Sequence, residues 1–193
     1  MNTDSDLIAR LYPAQGDIEG NAFNAIRTNQ QRQQHMRSLR TPRAPHPTAR
    51  GSGRGAPCLE IRFSDLPLTS LGLVFGRDEN SCDVVLPALR GVSRTHFVLT
   101  FKKDARDGLC RPVIRDLGSA FGTTVMFDGR GNAAQTNAEW VVGGTDVADT
   151  ATQIILQLTP GLRFRLEMAR HDLESPEYIR NVAEFCLLPL RAS

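Results

Sequence analysis

Arg115-Asp116-Leu117-Gly118-Ser119-Ala120-Phe121-Gly122-Thr123 is a polar turn bracketed by glycines and set between two short β-branched runs, residues 112–116 and 124–127. Outward from it the texture repeats. Residues 58–63, Cys-Leu-Glu-Ile-Arg-Phe, alternate apolar and polar as a half-buried strand does. Residues 71–75, 83–86, 95–101, 140–142, 153–158 and 162–168 read as further short strands. Glycine, proline, asparagine and aspartate punctuate them at 65–67, 76–80, 105–108, 128–132, 143–144 and 160–161. Many short strands with regular turns predict an all-β sandwich.

The chain has 193 residues, room for one ordinary domain with extensions, and its 40% apolar content suffices for a core. The net charge of +2 is unevenly distributed. Residues 26–56 hold seven arginines and no acid, whereas residues 57–193 hold 15 Lys+Arg against 17 Asp+Glu. Residues 29–34 are Gln-rich, and residues 41–55 are dense in Pro, Arg, Gly and Ser. Such composition buries too little apolar surface to offset chain entropy, so residues 1–56 are expected to be a basic disordered tail. A helical turn at 6–11 is the one element expected there. The tail's arginines carry no interleaved aromatics, which argues against nucleic acid as a partner.

Beyond the strands, Ser175-Pro176-Glu177 has the N-cap, first-turn proline and acid that open a helix. Ile179, Val182, Ala183 and Cys186 form its expected apolar stripe, Leu187, Leu188 and Leu190 extend it, and Pro189 stops it. The domain is therefore expected over 57–168, with a linker and C-terminal helix over 169–193. Cys58, Cys82, Cys110 and Cys186 form no C-x-x-C pair and no zinc spacing with a histidine, so reduced thiols and no metal or other cofactor are expected. No apolar run near the N-terminus resembles a secretory signal, and none approaches the length of a membrane span. An intracellular protein follows, in either the nucleus or the cytoplasm.

Three loop segments carry the chemistry. Phe75-Gly76-Arg77 ends a strand sharply at a glycine and places a planar, permanent cation at the loop edge, suited to gripping a phosphate with two parallel hydrogen bonds. Gly91-Val92-Ser93-Arg94-Thr95-His96-Phe97 offers a hydroxyl and a second guanidinium at a strand entrance. His96, between apolar strand residues, reads as a semi-buried structural imidazole. The turn at 115–123 can aim backbone amides at an anion. Asp116, Ser119 and Thr123 read chiefly as turn hydrogen-bonders.

Together, Gly76-Arg77, Ser93-Arg94-x-His96 and Asp116-x-Gly118-Ser119-x-x-Gly122-Thr123 resemble, in order and spacing, the signature of forkhead-associated (FHA) domains. The resemblance spans the middle of the chain. It implies a sandwich of about eleven strands whose loops at one end bind phosphothreonine peptides without catalysis. By position, Arg77 would bind the phosphate, Ser93 would donate its hydroxyl to it, and Arg94 would contact phosphate or peptide backbone. Ser119, Ala120 and Phe121 would complete the phosphopeptide contacts. Gly76, His96, Asp116, Gly118, Gly122 and Thr123 would shape and brace the loops. The chain departs from the family at Phe121, where an asparagine usually bonds the ligand's main chain, and at Ala120, which lacks a frequent hydroxyl.

Residues 115–129, Trp140-Val141-Val142-Gly143-Gly144 and the Ser175-Pro176-x-Tyr178 segment further resemble the FHA module of filamentous-fungal proteins, some of which carry a serine/threonine kinase domain. Within this chain no kinase motif is found: Gly51-Ser52-Gly53-Arg54-Gly55 lacks the third glycine of a nucleotide loop, and Phe127-Asp128-Gly129 is not D-F-G. A non-catalytic phosphothreonine-binding module is the expectation. The alternative is a phospho-independent scaffold that keeps the sandwich with altered ligand loops.

Overall fold

A computed structural model describes residues 4–17, 19–40 and 57–187, with the side chains of 36–40 excepted. The elements are β1 (Leu7–Pro13), α1 (Asn21–Arg40), β2 (Leu59–Arg62), β3 (Leu73–Gly76), β4 (Val84–Val85), β5 (Phe97–Lys103) and β6 (Cys110–Asp116). There follow β7 (Thr124–Phe127), β8 (Arg130–Gly131), β9 (Glu139–Val141), α2 (Asp146–Thr150), β10 (Ile154–Thr159), β11 (Leu162–Met168) and α3 (Pro176–Cys186). The strands build two sheets, ordered β2-β1-β11-β10-β7-β8 and β4-β3-β5-β6-β9. Only the short β3–β4 pair is parallel among the named strand pairs. The architecture is a β-sandwich of eleven strands in two sheets among the described residues, as expected.

Period-two alternation sets which faces meet. In β11, Leu162, Phe164 and Leu166 are buried while Arg163, Arg165 and Glu167 lie on the outer face. From the other sheet Phe75 and Phe97, on adjacent strands, stack with centroids 4.3 Å apart. These rings and Leu99, Ile114, Leu156 and Phe164 belong to one continuous core.

The N-terminal segment departs from the sequence expectation. Leu7–Pro13 is a strand, not a helical turn, and it lies inside the sheet between β2 and β11. Leu7, Ile8, Ala9 and Leu11 are buried, with a register shift between Leu7 and Ala9. The register shift between Leu7 and Ala9 breaks the alternation of this short run, and its pairing partner β11 lies far along the chain, so local pattern cannot identify it. Residues 21–40 are likewise a helix, not a disordered tail. The Asp17 carboxylate accepts from the amides of Ala22 and Phe23 at its start. Ala22, Ala25, Ile26 and Asn29 face inward at helical spacing. The sandwich therefore begins before residue 57. Residues 41–56, which hold the remainder of the expected basic tail, lie outside the described residues.

Asn29 ties α1 to the sheet edge. Its Nδ2 donates to the carbonyls of Ala25 at 2.8 Å and Val85 at 2.7 Å, while its Oδ1 accepts from the Val85 amide at 2.8 Å. One side chain thus satisfies both backbone groups of an edge-strand residue.

At the other terminus Ser175 caps α3 by accepting from the Tyr178 amide. The buried stripe is Tyr178, Val182 and Phe185, while Ile179 is 55% exposed and Ala183 and Cys186 face outward. The expected stripe is corrected by about one residue. The larger aromatic surfaces of Tyr178 and Phe185 dock on Phe63 and Phe101, and the Tyr178 hydroxyl donates to the Cys110 carbonyl. Leu188, Pro189 and Leu190 lie outside the described residues. Among the described residues no helix is long and apolar enough to cross a membrane.

This topology predicts that residues 57–187 expressed alone lose the strand that joins β2 to β11. That fragment is expected to give a collapsed amide NMR spectrum, whereas residues 4–187 give a dispersed one. A dispersed spectrum from the shorter fragment would show β1 to be dispensable.

Candidate functional site

The loops at one end of the sandwich are held by a buried carboxylate. Asp116, at the end of β6 and 2% exposed, accepts from the amides of Gly118, Ser119 and Asn137 at 2.9, 2.9 and 3.0 Å. It also accepts from the hydroxyls of Ser119 at 2.6 Å and Thr123 at 2.7 Å. Burial by itself would raise its pKa. The hydroxyl and amide hydrogen bonds outweigh that cost and hold the carboxyl below the ordinary value. Gly118 and Gly122, with φ of 75° and 74°, supply the left-handed conformations that let the turn wrap around the carboxylate.

Ser119 therefore takes the turn-bonding role read from its residue type and not the phosphopeptide contact that the resemblance implied. It is 2% exposed and donates its hydroxyl to Asp116, so it braces the turn and does not face the cleft. A serine in a polar turn looks the same in sequence whether it meets a ligand or an internal carboxylate.

His96 forms the second support. It is fully buried; its Nδ1 accepts from the Ser93 amide at 3.1 Å, and its Nε2 lies 3.3 Å from the Gly122 carbonyl. A neutral ring protonated at Nε2 satisfies both partners. Burial lowers its pKa, and the Gly122 carbonyl acts in the opposite direction with less effect.

The third support joins β3 to the loop before β5. Arg77 N donates to the Ser93 carbonyl and Asp78 N to the Arg94 carbonyl, each at 3.1 Å. Gly76 makes this approach possible: a Cβ there would lie 2.0 Å from the Arg94 carbonyl oxygen. Ser93 Oγ then accepts from the Ala120 amide at 3.0 Å, linking this pair of segments to the Asp116 turn. That bond leaves the Ser93 O–H available as a donor.

The result is an open cleft of about 630 Å³ lined by Arg77, Arg90, Ser93, Arg94, Gly118 and Ala120 among others. No acidic residue lines it. The structure thus brings Arg77, Ser93, Arg94 and Ala120 to one surface. Among the described residues, none of the three guanidiniums makes a hydrogen bond or ion pair. Arg90 was missed from sequence, because it belongs to no strand pattern and lies one residue before the Gly91–Phe97 segment. Phe121 does not close the cleft. It is 51% exposed and lies against Gly91, where an added Cβ would fall 2.4 Å from its ring.

A second cleft, of about 470 Å³, lies beside α3 and includes Phe63, Phe101, Arg111 and Tyr178. Its arginines are already engaged: Arg111 pairs with Asp104 and Asp107 and donates to the Gly144 carbonyl, and Arg170 donates to the Asp149 carbonyl. The described residues contain no cluster of three His, Cys, Asp or Glu able to hold a metal.

Asp116→Ala is expected to cost about 3 kcal/mol in urea unfolding, since several buried donors lose their acceptor. The folded carboxyl titrates below its unfolded value, so its contribution is complete above pH ~4 and is lost as pH falls through the folded value. His96 also has a lowered folded pKa, so its contribution is complete above pH ~6.5 and declines as pH falls below that. Comparing the native protein with His96→Gln in urea titrations between pH 5 and 8 checks the second effect. The native protein should lose stability on acidification more steeply than the variant.

The FHA-domain family model matches residues 73–136, from β3 to the loop before β9. No curated protein matches the chain. Among solved structures, the MEK1 FHA domain in complex with the HOP1 pThr318 peptide is similar at 17% identity and a TM-score of 0.33, covering 50% of this chain and 78% of that one. The MEK1 FHA domain alone is similar at 16% identity and a TM-score of 0.35, covering 50% and 69%. The segment matched by the FHA-domain model, residues 73–136, is the one that carries the cleft.

Proposed function

We propose that the cleft binds phosphothreonine within a protein or peptide and serves as a non-catalytic recognition module in intracellular signalling. The observation that carries this reading is the set of unpaired guanidiniums of Arg77, Arg90 and Arg94 around a hydroxyl donor, in a cleft without an acid. A phosphate monoester brings ~1.5–2 negative charges and three acceptor oxygens, which complement such a set. Arg77 and Arg94 would grip the phosphate, and Ser93 would donate its O–H to it. Ala120 would border the peptide. Buried Val92, with half-buried Leu117, provides apolar surface for the threonine methyl. A link to a kinase is the finer part of the proposal and draws only on the similarity of residues 115–144 and 175–178 to fungal modules.

Each charge-assisted hydrogen bond to phosphate contributes about 1.5–3 kcal/mol net. Two or three of them, after ordering costs, support affinity near micromolar, or about −8 kcal/mol. The half-exposed ring of Phe121, in the place of the family's asparagine, favours a second reading, a phospho-independent scaffold. A pull-down that survives both phosphatase treatment and Arg77→Ala would select it.

Isothermal titration with matched phosphothreonine, phosphoserine and unmodified peptides tests the primary reading. The phosphothreonine peptide should bind near micromolar, the unmodified peptide should not bind, and Arg77→Ala should weaken binding more than ~30-fold. A diverse phosphothreonine library with no hits, or binding indifferent to Arg77→Ala, would refute it.

A further inference from the structure

Phe121 occupies an unusual setting for an exposed aromatic. The residues around it are fixed: Ser119 and Thr123 are tied to Asp116, and Gly122 presents its carbonyl to His96. The ring rests on Gly91, whose φ of 92° and lack of Cβ make room for it. It therefore cannot collapse further inward, and about half of it faces solvent beside the cationic cleft. Exposed Ala88 and Ala120 and half-buried Leu89 line the neighbouring wall of that cleft. None of these four side chains donates or accepts a hydrogen bond through a polar group. The cleft thus has two chemical surfaces side by side, one of guanidiniums and a hydroxyl, the other apolar and held in place.

We infer that Phe121 makes this site selective for peptides with an aliphatic or proline side chain beside the phosphothreonine. The inference rests on the phosphothreonine reading above and adds to it the class of flanking residue. A peptide anchored by its phosphate passes the Gly91–Phe121 wall. A polar flanking side chain set on the face of the ring would lose water without gaining a partner from it. An apolar one would remove ring surface from water at little conformational cost, least of all for proline. A rigid aromatic platform at the rim converts one ligand contact from main-chain hydrogen bonding to side-chain burial.

The test is a phosphothreonine peptide set in which each position flanking the phosphothreonine is in turn Leu, Pro, Ser or Asn. Binding to the full chain is measured by fluorescence anisotropy. At one position Leu or Pro should bind about ten-fold more tightly than Ser or Asn. Phe121→Asn should abolish that preference, and Phe121→Leu should retain most of it, while both variants keep dependence on the phosphate. Matching melting temperatures establish that the variants are folded. A preference below about two-fold at every position, or one that persists in Phe121→Asn, overturns the inference and leaves phosphate recognition standing. Absence of binding by every phosphorylated peptide overturns both.

Discussion

The carboxylate of Asp116 accepts five hydrogen bonds from a single turn and its neighbour, and the ligand face depends on it. An ionised group placed at the end of a strand and removed from water must be satisfied from all sides. Here the satisfaction comes from three backbone amides and two hydroxyls, and meeting that demand dictates the path of residues 116–123. The turn then presents the Ala120 amide to Ser93 and the Gly122 carbonyl to His96. The loops are positioned by a buried network, and so the groups at the surface are left without internal partners.

That network extends into the sheets. The contacts of residues 76–78 with 93–94 fix where Arg77 leaves β3, and the Leu86 amide donates to the Gly76 carbonyl at 2.8 Å on the other side. Asn29 holds Val85 just before the loop that carries Arg90 and Ser93. Arg32 adds a longer bond, 3.4 Å, to the Glu79 carbonyl. The N-terminal helix, outside the segment matched by the family model, therefore contacts β4 and the turn that follows Arg77.

Much of this was legible in the sequence where the signal is local. The bounds of Thr124–Phe127 and Leu162–Met168 follow from alternation and flanking turn residues alone. The turn at 116–123 and the glycine at 76 were legible because few residue types permit such backbone paths. The β1 strand was not legible, since its partner lies some 150 residues away and the register shift between Leu7 and Ala9 interrupts its alternation. Helix α1 was obscured by a buried face in which Ile26 is the one large apolar residue beside two alanines and an asparagine, which carry little hydrophobic signal. Ser119 and Arg90 show a different limit. Which way a hydroxyl or a guanidinium points depends on the tertiary surroundings, and residue type does not record it.

The central claim is that a tetrahedral dianion belongs between Arg77 and Ser93. The most direct measurement is a backbone amide NMR titration with a phosphothreonine peptide. The Ala120 amide, bonded to Ser93 Oγ, and the Arg77 amide, bonded to the Ser93 carbonyl, are the reporters. The account predicts that both resonances move together and saturate, while those of α3 on the other side of the sandwich stay fixed. Saturating shifts confined to α3 or its neighbouring cleft, with residues 77, 93 and 120 unmoved, would contradict it.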